Sequence, residues 1–108
     1  MKRKTIRNHK DFLTTPDNPS VMNYIFVIKI KDAVKPDARY GVIASKRIFK
    51  LATQRNRAKR LLRDWIAFNE DLMLPNKDYI FIARSAIFNC ERDVGRHKMA
   101  HLLKKLSK

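Results

Sequence analysis

Cysteine is almost absent from this chain. The single thiol, Cys90, rules out an internal disulfide and with it a secreted disulfide scaffold; a buried, inert thiol is the expectation for it. Glycine occurs only at Gly41 and Gly95, and no Gly-rich phosphate loop or nucleophile motif is present. No apolar run approaches the ~18 residues needed to cross a bilayer. The basic start, MKRKTIRNHK, has no apolar segment behind it, so it is not a signal peptide. A cytoplasmic chain is expected. Acid is the most telling shortage: ten Asp and Glu stand against 25 Lys and Arg, a net charge of +15. So large an excess costs self-repulsion in the compact state, and a polyanionic partner is the usual reason to tolerate it. Nucleic acid leads, an anionic membrane surface comes second and an acidic protein third. Hydrophobic content of 44% over 108 residues supports a single modest core and excludes a disordered polycation.

What is there in abundance falls into blocks. Lys2, Arg3, Lys4, Arg7 and Lys10 make a basic N-terminal tail of about residues 1–7 and its continuation. Lys46 to Arg63, KRIFKLATQRNRAKRLLR, carries eight cations and no acid, and residues 96–108 form a third basic block. One domain, 1–108, is read, without repeats or linkers. Asn8 is positioned to cap a short helical turn through Asp11, Phe12 and Leu13, stopped by Pro16. TTPDNPS (14–20) reads as loop. NYIFVIKIKD (23–32) alternates as a strand, with Phe26, Ile28 and Ile30 on one face and Ile25, Val27, Lys29 and Lys31 on the other. RYGVIAS (39–45) and YIFIA (79–83) are further strands, and a short one near 20–22 is less distinct. A helix is expected from Asn89 to Leu106, with Met99, Leu102, Leu103 and Leu106 on its apolar stripe.

The cationic segment reads as an amphipathic helix from about Thr53 or Gln54 to Asp71. Ala58, Leu61, Leu62, Trp65, Phe68 and Leu72 fall on one side, and Asn56, Lys59, Arg60 and Arg63 on the opposite arc with Arg57 at its margin. A solvated helix face normally mixes charge signs, because like charges at i,i+4 are mildly destabilising. Here Arg55, Lys59 and Arg63 repeat at that spacing with no acid among them. Arginine forks grip phosphate oxygens and stack on bases, which favours nucleic acid over a membrane. A membrane-surface helix would also expose large apolar residues beside its cations. Phe12 and Tyr24 are candidate stacking surfaces for unpaired bases, with core packing as the competing role. His97 and His101 have a metal-compatible spacing but no third ligand, so a surface or RNA-facing role is preferred. Glu91 and Asp93 form no recognisable acid–base pair.

GVIASKR (41–47), RNRAKRLLRD (55–64) and DYIFIAR (78–84) together resemble the protein subunit of bacterial ribonuclease P, over about residues 8–106. The resemblance implies an α+β, two-layer α-β-β-β-α-β-α sandwich of the ribosomal-protein domain-like kind. Its mixed sheet would carry helices on one face and a left-handed β-α-β crossover, against the usual right-handed rule. It implies that Arg55, Asn56, Arg57, Lys59, Arg60 and Arg63 contact the catalytic RNA. It also places the single-stranded 5′ leader of precursor tRNA near Phe12, Phe26 or Val27, Ser45, Lys46 and Arg47. Partners would be ribonuclease P RNA, at one to one, and precursor tRNA, with no membrane. No cofactor or metal is expected on the chain itself and no catalytic residue; Mg²⁺ would be held by the RNA. A structural RNA-binding protein of ribosomal type is the alternative. Three positions depart from the family pattern: Pro16 where a second aromatic is usual, Lys29 where an aromatic is common, and Phe49 in the neighbourhood of a usual Gly.

Overall fold

A computed structural model of the protein describes residues 2–33 and 37–107. The strands are β1 (Lys4–Thr5), β2 (Ser20–Met22), β3 (Phe26–Asp32), β4 (Arg39–Ile43) and β5 (Lys77–Ala83), and the α-helices are α1 (Ala52–Phe68) and α2 (Arg92–Leu106). Short 3-10 turns occupy His9–Phe12, Glu70–Leu72 and Ser85–Asn89. The strands form a mixed sheet in the order β1-β4-β5-β3-β2. β4 and β5 are parallel neighbours, so α1 between them is the crossover connection, while β3 runs antiparallel to both β5 and β2.

Strand alternation decides which face is covered. Phe26, Ile28 and Ile30 of β3 lie beside Ala83, Phe81 and Tyr79 of β5, and Tyr40 of β4 lies beside Tyr79. All are buried, and they form one cluster with Ala58, Leu62, Trp65 and Ile66 of α1 and Met99, Leu102 and Leu103 of α2. Each large side chain buried in this way contributes about 1.5–3 kcal/mol. The alternate residues, Val27, Lys29, Lys31, Gly41, Ile43, Ile80 and Ile82, belong to the opposite face. That face is crossed by residues 11–14. Phe12 lies so close over Gly41 that a Cβ there would meet its ring at 2.3 Å, which is why only glycine fits. Arg39 donates to Asp11 at 2.9 Å, Lys29 to the Thr14 hydroxyl at 3.5 Å and Lys31 to the Leu13 carbonyl at 3.1 Å.

The basic N-terminal tail is anchored to the rest of the fold. Lys4 and Thr5 pair with Arg39 and Tyr40, Ile6 is buried, and the Arg3 guanidinium donates to the Leu74 and Lys77 carbonyls at 2.6 Å each. The Glu70 carboxylate accepts from the Lys2 and Arg3 amides, and the Arg3 bond chiefly holds its carboxyl below the ordinary range. Ile25 is fully buried, because it precedes β3 in a turn where Asn23 Oδ1 accepts from both the Ile25 and Phe26 amides. α1 ends at Phe68 rather than Asp71. Ile66 takes the core position, Phe68 is 57% exposed, and Asn69 is buried, donating to the Trp65 and Arg96 carbonyls. Cys90 is half-buried, and burial pushes its thiol up, away from reactive thiolate.

The two helices meet where Trp65 lies against Gly95. A Cβ at Gly95 would sit 2.3 Å from the indole ring. Overpacking of this kind typically costs about 1–3 kcal/mol. Gly95→Ala should therefore lower the urea midpoint of unfolding by a corresponding amount, and an unchanged midpoint would show that the helices do not approach this closely.

Candidate nucleic-acid interface

The candidate interface lies on α1, and its register follows from the core. With about 100° per residue, burial of Ala58, Leu62, Trp65 and Ile66 turns Asn56, Arg60 and Arg63 directly outward. All three are exposed. The first turn of α1 holds no acid, so the positive end of the helix dipole adds to the same field. Gln54 Oε1 accepts from the Leu51 amide at 3.3 Å and satisfies one group at that end.

The remaining three predicted contacts are more committed. Arg55 is half-buried and donates through Nη1 to the Phe49 and Lys50 carbonyls at 2.9 and 3.1 Å, so it braces the loop before the helix. Arg57 lies 4.9 Å over the Phe88 ring, which itself packs edge-on to Phe49. That contact holds an exposed guanidinium in a fixed place while leaving its edge for a phosphate. Lys59 leans to the other flank, where it lines a cleft of about 290 Å³ with His9, Phe12, Val42, Ile43 and Ala44. Among the described residues none of these five cations is in an ion pair.

The one acid on α1 is spoken for elsewhere. Asp64 accepts from Arg92 at 2.9 and 3.1 Å and from Arg96 at 3.4 Å, both on α2. It therefore clasps the two helices rather than quenching the outer arc. Arg96 also lies 4.4 Å over the exposed Phe68 ring, which gives that side chain a partner outside the core.

The leader-side candidates separate. Phe12 sits half-buried on the open face at the 290 Å³ cleft, and Val27 is half-buried on the same face. Phe26 is a correction: it is fully buried on the helix side, 6.0 Å from Trp65, and belongs to the core. Alternation along β3 sends Phe26 and Val27 to opposite faces, so only Val27 of the pair lies on the open face. Ser45 is used locally, its Oγ accepting from the Ile48 amide at 3.3 Å and its carbonyl from the Phe49 amide at 2.9 Å. This turn leaves Lys46 and Arg47 exposed just beyond β4. Ile82 lies beside Val27 on the open face and Ile43 beside Ile82, a neighbourhood not legible in sequence because strand register is not written in any one segment. Among the described residues no group of three His, Cys, Asp or Glu is placed to hold a metal, and no helix is long and apolar enough to cross a membrane.

The family model described as Ribonuclease P matches residues 1–107. The ribonuclease P protein component of Bacillus velezensis is 32% identical over 98% of this chain and 91% of its own length, and that of a Geobacillus species is 33% identical over 97% and 92%. The solved ribonuclease P protein of Thermotoga maritima superposes with a TM-score of 0.78 at 26% identity, covering 95% of this chain and 97% of that one. The Staphylococcus aureus ribonuclease P protein gives 0.77 at 28%, over 99% and 97%. The chain belongs to the ribonuclease P protein family.

Three positions singled out in the sequence have visible roles. Phe49 is buried and packs on Phe88, so it tethers the loop to the 3-10 turn Ser85–Asn89 that α2 follows. Lys29 reaches the Thr14 hydroxyl and fastens the segment over the sheet. Pro16 lies exposed beyond a leading turn of only four residues.

The Asp64 clasp is testable by pH. The hydrogen bond from Arg92 holds the Asp64 carboxyl below its ordinary range, with Arg96 adding to it and partial burial opposing. A lowered folded-state pKa stabilises the protein at pH above the unfolded value, about 3.9, and is lost as pH falls through the folded one. Asp64→Asn should lower the unfolding midpoint at neutral pH and match the parent in strongly acidic solution. A penalty that persists in acid would contradict the ion-pair origin.

Proposed function

We propose that this chain is the RNA-binding subunit of ribonuclease P and acts in removing 5′ leaders from precursor tRNA. The outer arc of α1, Asn56, Arg60 and Arg63 with Arg57 and Lys59 at its flanks, binds the catalytic RNA. The open sheet face beside Phe12 and Val27, with Lys46 and Arg47 at its end, receives the single-stranded leader. The observation that carries this reading is an exposed arginine-rich arc that no acid among the described residues neutralises, on a chain of that family. Mg²⁺ is assigned to the RNA subunit, where it would activate the attacking water. The polypeptide binds, orients and screens RNA–RNA repulsion; no side chain is assigned to the cleavage step.

Each phosphate neutralised contributes about 0.7–0.9 to the slope of log affinity against log salt. Arg60→Ala with Arg63→Ala should therefore weaken assembly with a bacterial ribonuclease P RNA and flatten its salt slope by about 1.5, with an unchanged fold by circular dichroism. Reconstitution at low Mg²⁺ should give leader cleavage only when RNA and protein are combined. Unchanged assembly and slope would remove α1 as the RNA-facing surface. Binding without any stimulation of cleavage would favour a purely structural RNA-binding role.

A further inference from the structure

Strand register on the open face produces a feature that no single strand reveals. Ile43 of β4 lies beside Ile82 of β5, Ile82 beside Val27 of β3, and Val27 beside Met22 of β2. The first three are half-exposed and Met22 is 58% exposed. They form one apolar row across the sheet, about 14 Å long at three interstrand spacings. Its β4 end opens into the cleft with Phe12 and Lys59. Its β2 end opens into a second cleft, of about 390 Å³, between the β2 edge and the outer flank of α2. That cleft is lined by Met22, Asn23, His97, Lys98, His101, Leu102 and Lys105, with no carboxylate among them.

The chemistry of the second cleft suits one nucleotide unit after another. Its volume falls within the roughly 300–1,000 Å³ of small-ligand sites. Lys98, His101 and Lys105 follow at three- and four-residue spacing, so they share a face of α2. Tyr24, 54% exposed, stands at the mouth with the Lys98 ammonium 5.2 Å from its ring. Arg84 donates to Met22 Sδ and to the Asn23 carbonyl at 3.6 and 3.3 Å, adding a further cation where the row ends. Cations beside an exposed aromatic and an apolar floor are what unpaired ribonucleotides use, phosphate on the one and base on the other. An acidic peptide would satisfy the charge but would leave the aromatic mouth and the apolar row unused.

We infer that the leader does not end on the sheet: single-stranded RNA runs along the row Ile43–Ile82–Val27–Met22, over the β2 edge, and its distal nucleotides enter the α2 cleft at Tyr24, Lys98, His101 and Lys105. This rests on the open face being the leader-binding face. It adds a second RNA contact on the far side of the helix layer from α1, which gives the protein a grip on leaders longer than the sheet is wide.

The test uses the holoenzyme reconstituted with a bacterial ribonuclease P RNA, and precursor tRNAs whose leaders run from a few to a dozen nucleotides. Affinity should rise again once the leader outreaches the sheet. Lys98→Glu with Lys105→Glu should abolish that second rise, a loss of about tenfold, the scale of one charge-assisted hydrogen bond, and leave short-leader precursors bound as before. An identical length dependence in parent and variant overturns the α2 cleft while leaving the leader face standing. No dependence on leader length in the parent overturns both. Independently of any variant, 4-thiouridine at the distal leader positions should crosslink to residues 22–24 or 97–105, and crosslinks confined to other segments would overturn the proposed path.

Discussion

The seating of Trp65 sets the rotation of α1, and much of the molecule depends on that rotation. The indole is fully buried, tilted against Phe26 of the sheet and pressed to the bare backbone of Gly95 on α2. Once it is placed, the 3.6-residue period leaves no choice about where Asn56, Arg60 and Arg63 point. A helix that buried a different stripe would hide part of this charge at a desolvation cost that its core contacts could not offset. Packing therefore does the work of presentation: the apolar residues that hold α1 down also determine that its cations face solvent.

The distribution of acid explains why that surface stays positive. Several of the few carboxylates are spent at joints. Asp78, fully buried, accepts from the Arg39 amide at 2.7 Å and, with Asp11, brackets the Arg39 guanidinium under the segment that crosses the open face. Glu70 fixes the N-terminal backbone, and Asp64 ties α1 to α2. Removing one partner of a buried pair such as Arg39–Asp78 is costly because the other charge is left without compensation. These acids hold the fold together, and the arc on α1 is left with no internal counterion among the described residues. An RNA backbone supplies the missing charge in the proposed complex.

Much of this was legible in sequence because it is periodic. The alternation of Phe26, Ile28 and Ile30, the stripe of Ala58, Leu62 and Trp65, and that of Met99, Leu102 and Leu103 each mark an element and its buried face. What stayed hidden depends on contacts between distant segments. Phe68 satisfies the helical period, yet α1 ends there and the ring stays exposed, with Arg96 of the other helix over one face. Lys29 and Lys31 look like open cations in β3, but Thr14 and Leu13 arrive over them from a loop with no regular pattern. Arg55 is indistinguishable in sequence from Arg60 until the Phe49 and Lys50 carbonyls are seen beneath it. The resemblance left Phe26 and Val27 as alternatives on the leader side, and only the packing of Phe26 on Trp65 places it in the core. The row from Ile43 to Met22 needs the register of four strands, which is a property of the sheet.

If ribonuclease P RNA covers the outer arc of α1, arginine footprinting will register it. Phenylglyoxal modification of the protein, read by mass spectrometry with and without the RNA, should show Arg60 and Arg63 strongly protected on assembly. Arg84, at the far β2 edge, should keep its reactivity while no substrate is present. Arg60 and Arg63 reacting equally fast in the assembled particle would contradict the account.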